Sequence, residues 1–95
     1  MNILFADTFY WVALINPQDD WHKRVLSFSQ SLENVDLLTT EEVLVEVLAF
    51  YSKSGLRMRE RVVNLVKSIL NNERITVVLK LDGKAIKNLT GSNKI

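Results

Sequence analysis

Short apolar segments separated by polar turns recur along most of the chain and predict alternating strands and helices. Residues 2–6 (NILFA) form an apolar run that ends at Asp7, which predicts a short buried strand. Residues 8–16 (TFYWVALIN) are apolar almost throughout and stop just before Pro17. Because the residue before a proline disfavours helical geometry, this segment predicts a short, well-buried helix that ends there.

A second helix is predicted after the turn that holds Asp19 and Asp20, either of which could cap it. Residues 36–38 follow as a second short strand. Both tryptophans, Trp11 and Trp21, are expected in the core. The second helix should carry its apolar residues on one face: Trp21, Val25, Phe28 and Leu32.

Two more helices and a third strand are predicted before residue 80. Thr39 or Thr40 opens the third helix, and Thr39 with Glu42 fits a T-x-x-E capping box. A fourth helix is predicted over about residues 57–71, and the β-branched run at residues 75–79 (ITVVL) predicts a third strand. The third helix should bury one stripe of side chains: Val43, Leu44, Val47, Leu48 and Tyr51.

The predicted element order is β-α-α-β-α-α-β. Strands that are separated by helix pairs imply parallel pairing, because such crossovers carry helices across the faces of a sheet. The sequence therefore predicts an α/β fold built on a parallel sheet. After Leu79 the pattern weakens, and Leu81, Ala85, Ile86 and Leu89 support only a weak amphipathic turn.

The net charge of the chain also changes sign after Leu79, where the pattern weakens. Residues 1–79 hold eight Lys/Arg and ten Asp/Glu, a net charge of −2, whereas residues 80–95 hold four lysines and Asp82 alone, a net charge of +3. We therefore expect two parts, a domain over 1–79 and an atypical basic tail over 80–95. The shift in charge and pattern suggests a truncated or out-of-frame ending.

The chain has no cysteine, which excludes disulfides and thiolate metal sites. Any bound metal would be held by oxygen ligands or by the single histidine, His22, which indicates a hard cation such as Mg²⁺ or Mn²⁺. The N-terminus lacks the basic region of a signal peptide. Apolar stretches are far shorter than the ~20 residues of a membrane-spanning helix. A cytoplasmic location is expected.

Asp7 is the only charged side chain among the first eighteen residues and lies at the carboxyl end of the first predicted strand. Open parallel sheets bind ligands outside those strand ends, which makes Asp7 a candidate ligand. It also directly precedes a helix, where aspartate is a favoured N-cap. Both interpretations are open.

Glu46 is the only polar residue within residues 43–51 (VLVEVLAFY). A buried carboxylate needs a cation, a metal or several donors, so Glu46 is a second candidate. Alternatively it lies at the edge of the apolar face and reaches water. Glu41 and Glu42 are explained by the helix start. His22 is expected at a surface or groove, and a solvated basic cluster is expected around a helix junction: Lys53, Arg57, Arg59 and Arg61.

Two segments resemble the PIN-domain family, which includes VapC-type toxins of toxin–antitoxin pairs. In FADTFYWVALINPQDDWHKRV, an apolar strand ends in Asp-Thr, a short apolar helix follows, and the next helix has a His near its start. In LLTTEEVLVEVL, a strand leads through a Thr pair into a helix with an internal Glu. The resemblance covers roughly residues 1–79, the N-terminal part of such a domain, and implies a three-layer α/β/α architecture with its C-terminal part truncated.

The resemblance implies a metal-dependent endoribonuclease, the toxin of a toxin–antitoxin pair. Its metal-binding and catalytic carboxylates would be Asp7 and Glu46, supported by the hydroxyls of Thr8 and Thr40, with Mg²⁺ or Mn²⁺ bound. Partners would be an RNA substrate and an antitoxin protein. The family's further aspartates have no match in the tail, where Asp82 is the only acid. Whether this chain cleaves RNA is therefore left open.

Two other functions compete with the nuclease. A non-catalytic PIN remnant would act by associating with an antitoxin or with a second copy, and a homodimer is expected because an incomplete parallel sheet leaves an unpaired edge. A small nucleic-acid-binding module would rest on the basic tail and the arginines. It ranks last, because the chain is nearly neutral and shows no aromatic stacking motif.

Overall fold

The computed structural model of the chain describes residues 2–81 and 84–86. Within those residues, strands and helices alternate in the predicted order, and one further strand is added at the end. The elements are β1 (Asn2–Phe5), α1 (Thr8–Ile15), α2 (His22–Gln30), β2 (Val35–Thr40), α3 (Glu41–Phe50), α4 (Leu56–Asn71), β3 (Ile75–Leu81) and β4 (Lys84–Ile86).

The strands form one sheet in the order β1-β2-β3-β4. β1 pairs with β2 in parallel, with Leu4 opposite Leu37, and β2 pairs with β3 in parallel, with Leu38 opposite Thr76. The predicted α/β fold with a parallel sheet is confirmed. Because β1, β2 and β3 are parallel, their carboxyl ends lie at one edge of the sheet. Helices α1 and α3 both begin at that edge.

β4 was not predicted. In place of a weak amphipathic turn, residues 84–86 pair antiparallel with β3, with Ile86 opposite Leu79. An unpaired strand edge offers a row of free backbone donors and acceptors, and a short segment that follows it closely in the chain can satisfy them. Leu89 and Asp82 lie outside the described residues. The division of the chain at residue 80 stays a prediction.

Two predicted helix starts are wrong in detail. The cap of α3 is Thr40, whose hydroxyl accepts a hydrogen bond from the Val43 amide at 3.1 Å, so the proposed capping box of Thr39 and Glu42 does not form. Thr39 is still inside β2 and is fully buried. Neither predicted aspartate caps α2 either. Asp19 Oδ1 instead accepts from the Trp21 amide at 2.8 Å and shapes the turn before that helix.

The core lies between the sheet and the inner faces of α1, α3 and α4. The predicted stripe on α3 is buried except for Leu48, which is exposed. Buried β-branched and aliphatic residues of β3 and α4 belong to the same core. The largest fully buried side chains are Ile69, Val47, Val62, Val77 and Thr39. This core fixes α1 against α3, the two helices that carry the candidate acids.

Helix α2 packs against α1 and has no buried residue. The expectation of two core tryptophans is therefore half right, because Trp11 is buried whereas Trp21 is 53% exposed. The positions of Trp21, Val25, Phe28 and Leu32 predicted one apolar helix face, but that face is only partly covered among the described residues. No helix in those residues is long and apolar enough to cross a membrane.

Candidate functional site

Asp7 follows β1 directly and is the N-cap residue of α1. Its backbone is extended, and its Oδ1 atom accepts a hydrogen bond from the Tyr10 amide at 3.0 Å. The capping interpretation is thus confirmed. The cap uses one carboxylate oxygen only, and within the described residues Oδ2 has no hydrogen bond. Capping and ligand binding are therefore compatible at this residue.

Glu46 lies in the second turn of α3, one turn after the buried Val43. It is exposed, so the interpretation that it lies at the edge of the apolar face and reaches water is confirmed. Its Oε1 atom accepts a hydrogen bond from the Thr8 hydroxyl in α1. This bond joins the two helices at the carboxyl edge of the sheet and orients the Glu46 side chain.

The two predicted supporting threonines occupy different places. Thr8 contacts Glu46 directly, whereas Thr40 caps the helix that carries Glu46. A third threonine, Thr39, was missed as a structural residue. Its buried hydroxyl donates to the Ala6 carbonyl at 2.8 Å and accepts from Trp11 Nε1 at 3.3 Å, which ties β2 to the segment around Asp7. No sequence signal separates Thr39 from Thr40, since either threonine could begin the helix.

Asp7 and Glu46 line one pocket of about 400 Å³, within the range of small-molecule sites. We call it the carboxylate pocket. Its polar and aromatic lining comes from α1, α3 and the turn after α1: Asp7, Thr8, Asp19, Glu46, Phe9 and Phe50. Among the described residues, three acids and no base line this pocket, so its electrostatic potential favours a cation.

Asp19 was not predicted at the site. Its place depends on the turn after α1, which folds back towards Tyr51 at the end of α3. Burial raises the pKa of the Tyr51 hydroxyl, a hydrogen bond with Asn16 opposes that rise, and the negative charge of Asp19 adds to it. Tyr51 also donates to the Val12 carbonyl at 3.3 Å. Sequence spacing could not reveal this, because the closeness of Asp19 to Tyr51 is tertiary.

The acids offer the hard oxygen donors that Mg²⁺ or Mn²⁺ prefers. In the part of the chain that the structure describes, no three His, Asp or Glu side chains are grouped tightly enough to enclose a metal. Magnesium commonly binds one or two carboxylates and completes its shell with waters and substrate phosphate. The free oxygens of Asp7 and Glu46 fit such an open site, with Asp19 adding negative charge.

The remaining candidates lie apart from the carboxylate pocket. His22 is half-buried, and its Nδ1 atom lies 2.7 Å from the Ala13 carbonyl, so it ties α2 to α1. Arg61 donates to the Ile15 carbonyl at 3.4 Å. The solvated interpretation of the basic cluster is confirmed, because Lys53, Arg57, Arg59 and Arg61 are all exposed around the junction of α3 and α4.

No family model and no curated protein matches this sequence. Among solved structures, the chain is similar to VapC20 of Mycobacterium tuberculosis, a Sarcin-Ricin loop cleaving toxin. The two share 21% sequence identity at a TM-score of 0.67, and the match covers 85% of this chain. It spans 58% of the VapC20 chain. The expected VapC-like PIN fold is confirmed by this match.

Proposed function

We propose that the protein is a PIN-type, Mg²⁺- or Mn²⁺-dependent endoribonuclease and the toxin of a toxin–antitoxin pair in the cytoplasm. The observation that carries this is the meeting of Asp7 and Glu46 in one pocket at the carboxyl edge of a parallel sheet. The likeness in fold to VapC20, a Sarcin-Ricin loop cleaving toxin, supports the same class of reaction.

In this proposal each residue has a defined task. Asp7 and Glu46 would hold the metal through the carboxylate oxygens that are left free when the Tyr10 amide and the Thr8 hydroxyl each bind the other oxygen. Those hydrogen bonds fix the two carboxylates before substrate arrives, so little reorganisation is needed. When bound, the metal supplies an activated water at neutral pH and stabilises charge on the phosphate oxygens.

The test is cleavage of a mixed RNA panel by purified protein, with Mn²⁺ or with chelator. Asp7→Asn and Glu46→Gln should each lower the cleavage rate at least about 100-fold, since each removes a charge that acts on the metal. Titration calorimetry with Mn²⁺ alone should show weaker binding in both variants. Glu42→Gln is the matched control, because Glu42 is also an exposed acid of α3 and does not line the pocket.

Asp7→Asn also separates the two roles of that residue. Asparagine caps a helix about as well as aspartate, so the free energy of unfolding should change little while cleavage is lost. If Asp7→Asn still cleaved RNA, or if cleavage were equally fast in chelator, the proposal of a metal-dependent catalytic site would be excluded.

A second proposed function is protein association, with a second copy or with an antitoxin. It is favoured by β1, which pairs only with β2 among the described residues and leaves Ile3 63% and Phe5 57% exposed. An apolar strand edge without charged residues readily accepts another strand. In a symmetric homodimer, two β1 strands would pair antiparallel about a two-fold axis.

A further inference from the structure

The proposed metal site uses two of the three acids that line the carboxylate pocket. The third, Asp19, lies in the turn between α1 and α2 and is half-buried. Its Oδ1 atom accepts a hydrogen bond from the Trp21 amide at 2.8 Å, which uses one of the two carboxylate oxygens. Asp19 therefore resembles Asp7 and Glu46, because each is an acid of the pocket with one oxygen held by a hydrogen bond.

The turn that carries Asp19 is shaped by its own hydrogen bonds. The Asn16 carbonyl accepts from the Asp19 amide at 2.9 Å, and the Asn16 side chain accepts from the Gln18 amide at 3.0 Å. Asparagine and aspartate side chains that bind an amide two residues ahead are typical of tight turns. Since these bonds all lie between residues 16 and 21, they shape the turn without attaching it to α3.

Tyr51 attaches this turn to α3. Tyr51 is the C-cap residue of α3, is 4% exposed and belongs to the core. Its hydroxyl donates to the Val12 carbonyl at 3.3 Å, the same carbonyl that accepts from the Asn16 amide at 3.1 Å. The hydroxyl also has a hydrogen bond with the Asn16 side chain. The end of α1 and the start of the turn are therefore held against α3 by one buried phenol.

Helix α3 thus determines the place of two acids of the pocket. Glu46 is on the helix itself, and Tyr51 at its end holds the turn that contains Asp19. Among the described residues, the salt bridge joins Arg74 to Asp36, and Asp19 has no ionic partner. Like charges held near one another repel and oppose folding. The position of Asp19 therefore favours a role towards a cation over a role in stability.

The geometry does not make Asp19 a direct ligand of the cation that Asp7 and Glu46 would hold. In the part of the chain that the structure describes, no three His, Asp or Glu side chains are close enough together to enclose a metal. A more distant carboxylate still attracts a cation, because Coulomb attraction falls only in inverse proportion to distance. A unit charge one layer of solvent away from a divalent ion raises its affinity by a factor on the order of 10.

We propose that Asp19 is a third, non-ligating charge of the carboxylate pocket, which raises its affinity for divalent cations, and that Tyr51 positions Asp19 through Asn16. The inference rests on the proposed nuclease function, because it concerns the same metal site. The attraction is proportional to the charge of the ion, so Asp19 favours divalent over monovalent cations. Tyr51 is a positioning residue, since it acts through the turn and does not line the pocket.

The test is binding of Mn²⁺ alone to the full chain, measured by the loss of the electron paramagnetic resonance signal of free Mn²⁺. Asp19→Asn should weaken binding about 10-fold, because asparagine removes the charge and keeps an oxygen that accepts from the Trp21 amide. Asp20→Asn is the matched control, since Asp20 is the neighbouring exposed acid and does not line the pocket. It should change the affinity less than about 2-fold, because solvent and salt screen its charge.

Tyr51→Phe tests the positioning in a double-mutant cycle. The ring stays in the core, and circular dichroism checks the fold. In the wild-type background the change should weaken Mn²⁺ binding about 3-fold, whereas in the Asp19→Asn background it should have no effect, because it acts only through that charge. Equal weakening in both backgrounds, or none in the wild type, would overturn the positioning role of Tyr51.

Salt distinguishes a distant charge from a ligand. Raising the KCl concentration from about 0.05 M to about 0.5 M shortens the Debye length to about 4 Å. The effect of Asp19→Asn on Mn²⁺ affinity should then fall from about 10-fold towards about 2-fold. An effect that salt leaves undiminished would show that Asp19 ligates the cation directly, which would overturn the proposal.

The same titrations distinguish a failure of this inference from a failure of the metal site. If Asp7→Asn and Glu46→Gln weaken Mn²⁺ binding while Asp19→Asn does not, the metal site stands and the third charge is excluded. If the wild-type chain binds no Mn²⁺, both proposals are wrong.

Discussion

Asp7 illustrates how one side chain can serve both structure and chemistry. One of its oxygens caps α1, and the other is available to a ligand within the carboxylate pocket. Glu46 has the same division, with one oxygen held by Thr8. A carboxylate held in this way is pre-oriented. For Asp7, the cap and the ligand interpretations that the sequence left open involve different oxygens of one group.

At the residue scale, Tyr51 should make stability sensitive to alkaline pH. Its pKa is raised in the folded chain, chiefly by burial, whereas in the unfolded chain it lies near the ordinary value of about 10. The neutral phenol therefore contributes stability that is complete below about pH 10 and is lost as the pH rises through the folded pKa.

The measurement is urea unfolding of wild type and Tyr51→Phe between about pH 8 and pH 11. At the lower pH the variant should be less stable by about 0.5–1.5 kcal/mol, the contribution of one hydrogen bond. Above about pH 10 the two curves should converge, because the variant has no group to ionise there. Tyr10→Phe should lose stability with rising pH as the wild type does. If the stability of Tyr51→Phe fell with pH in parallel with the wild type, Tyr51 would not be the group responsible.

At the element scale, α1 and α3 bring the acids together because each begins at the end of a parallel strand. The start of α3 is set by Thr40, which satisfies the Val43 amide. The start of α1 is set by Asp7. Thr39, one residue earlier than the cap, instead faces the core and joins Ala6 to Trp11. Neighbouring threonines thus have separate tasks, one in the sheet and one in the helix.

Thr40→Ala should destabilise the protein by about 0.5–2 kcal/mol, because the Val43 amide loses its side-chain acceptor. Thr40→Ser keeps the hydroxyl and should stay close to wild type. The stabilities of the variants are compared by their urea unfolding midpoints, provided that the dependence of the free energy of unfolding on urea concentration is unchanged. Equal losses in the serine and alanine variants would mean that the Thr40 methyl group, rather than its hydroxyl, supports the helix start.

At the scale of the whole molecule, the sheet is unequally protected. β3 is paired on both sides, by β2 and β4, whereas β1 is paired on one side among the described residues. The exposed apolar side chains of β1, Ile3 and Phe5 among them, leave this edge of the sheet suited to a partner strand. Self-association through β1 would continue the sheet and leave the carboxylate pocket on each copy.

Phe5→Lys should therefore weaken the proposed homodimer. Phe5 is exposed in the monomer, so the change should leave the free energy of unfolding of the monomer nearly unaltered, while a charge on the strand edge opposes pairing. Sedimentation equilibrium over a range of concentrations measures the change. Phe28→Lys, a like substitution on α2, is the control. A wild-type chain that stays monomeric throughout, or a dimer that Phe5→Lys leaves intact, would exclude this interface.

The sequence by itself determined the element order, the parallel sheet and the helix that Asp7 caps, because hydrophobic period, proline and capping residues act locally. It also singled out the two acids that share the carboxylate pocket, since each is a lone polar group in an apolar segment. It did not reveal β4, whose pairing depends on the free edge of β3.

Tertiary structure decided the surroundings of those acids. The place of Asp19 beside Tyr51 and the contact between Thr8 and Glu46 depend on how α1 packs against α3. Exposure of Trp21 depends on how much of α2 is covered, which no helical spacing specifies. Phe9 of α1 and Phe50 of α3 line the carboxylate pocket together without any signal in the sequence, because their proximity arises only when the helices pack.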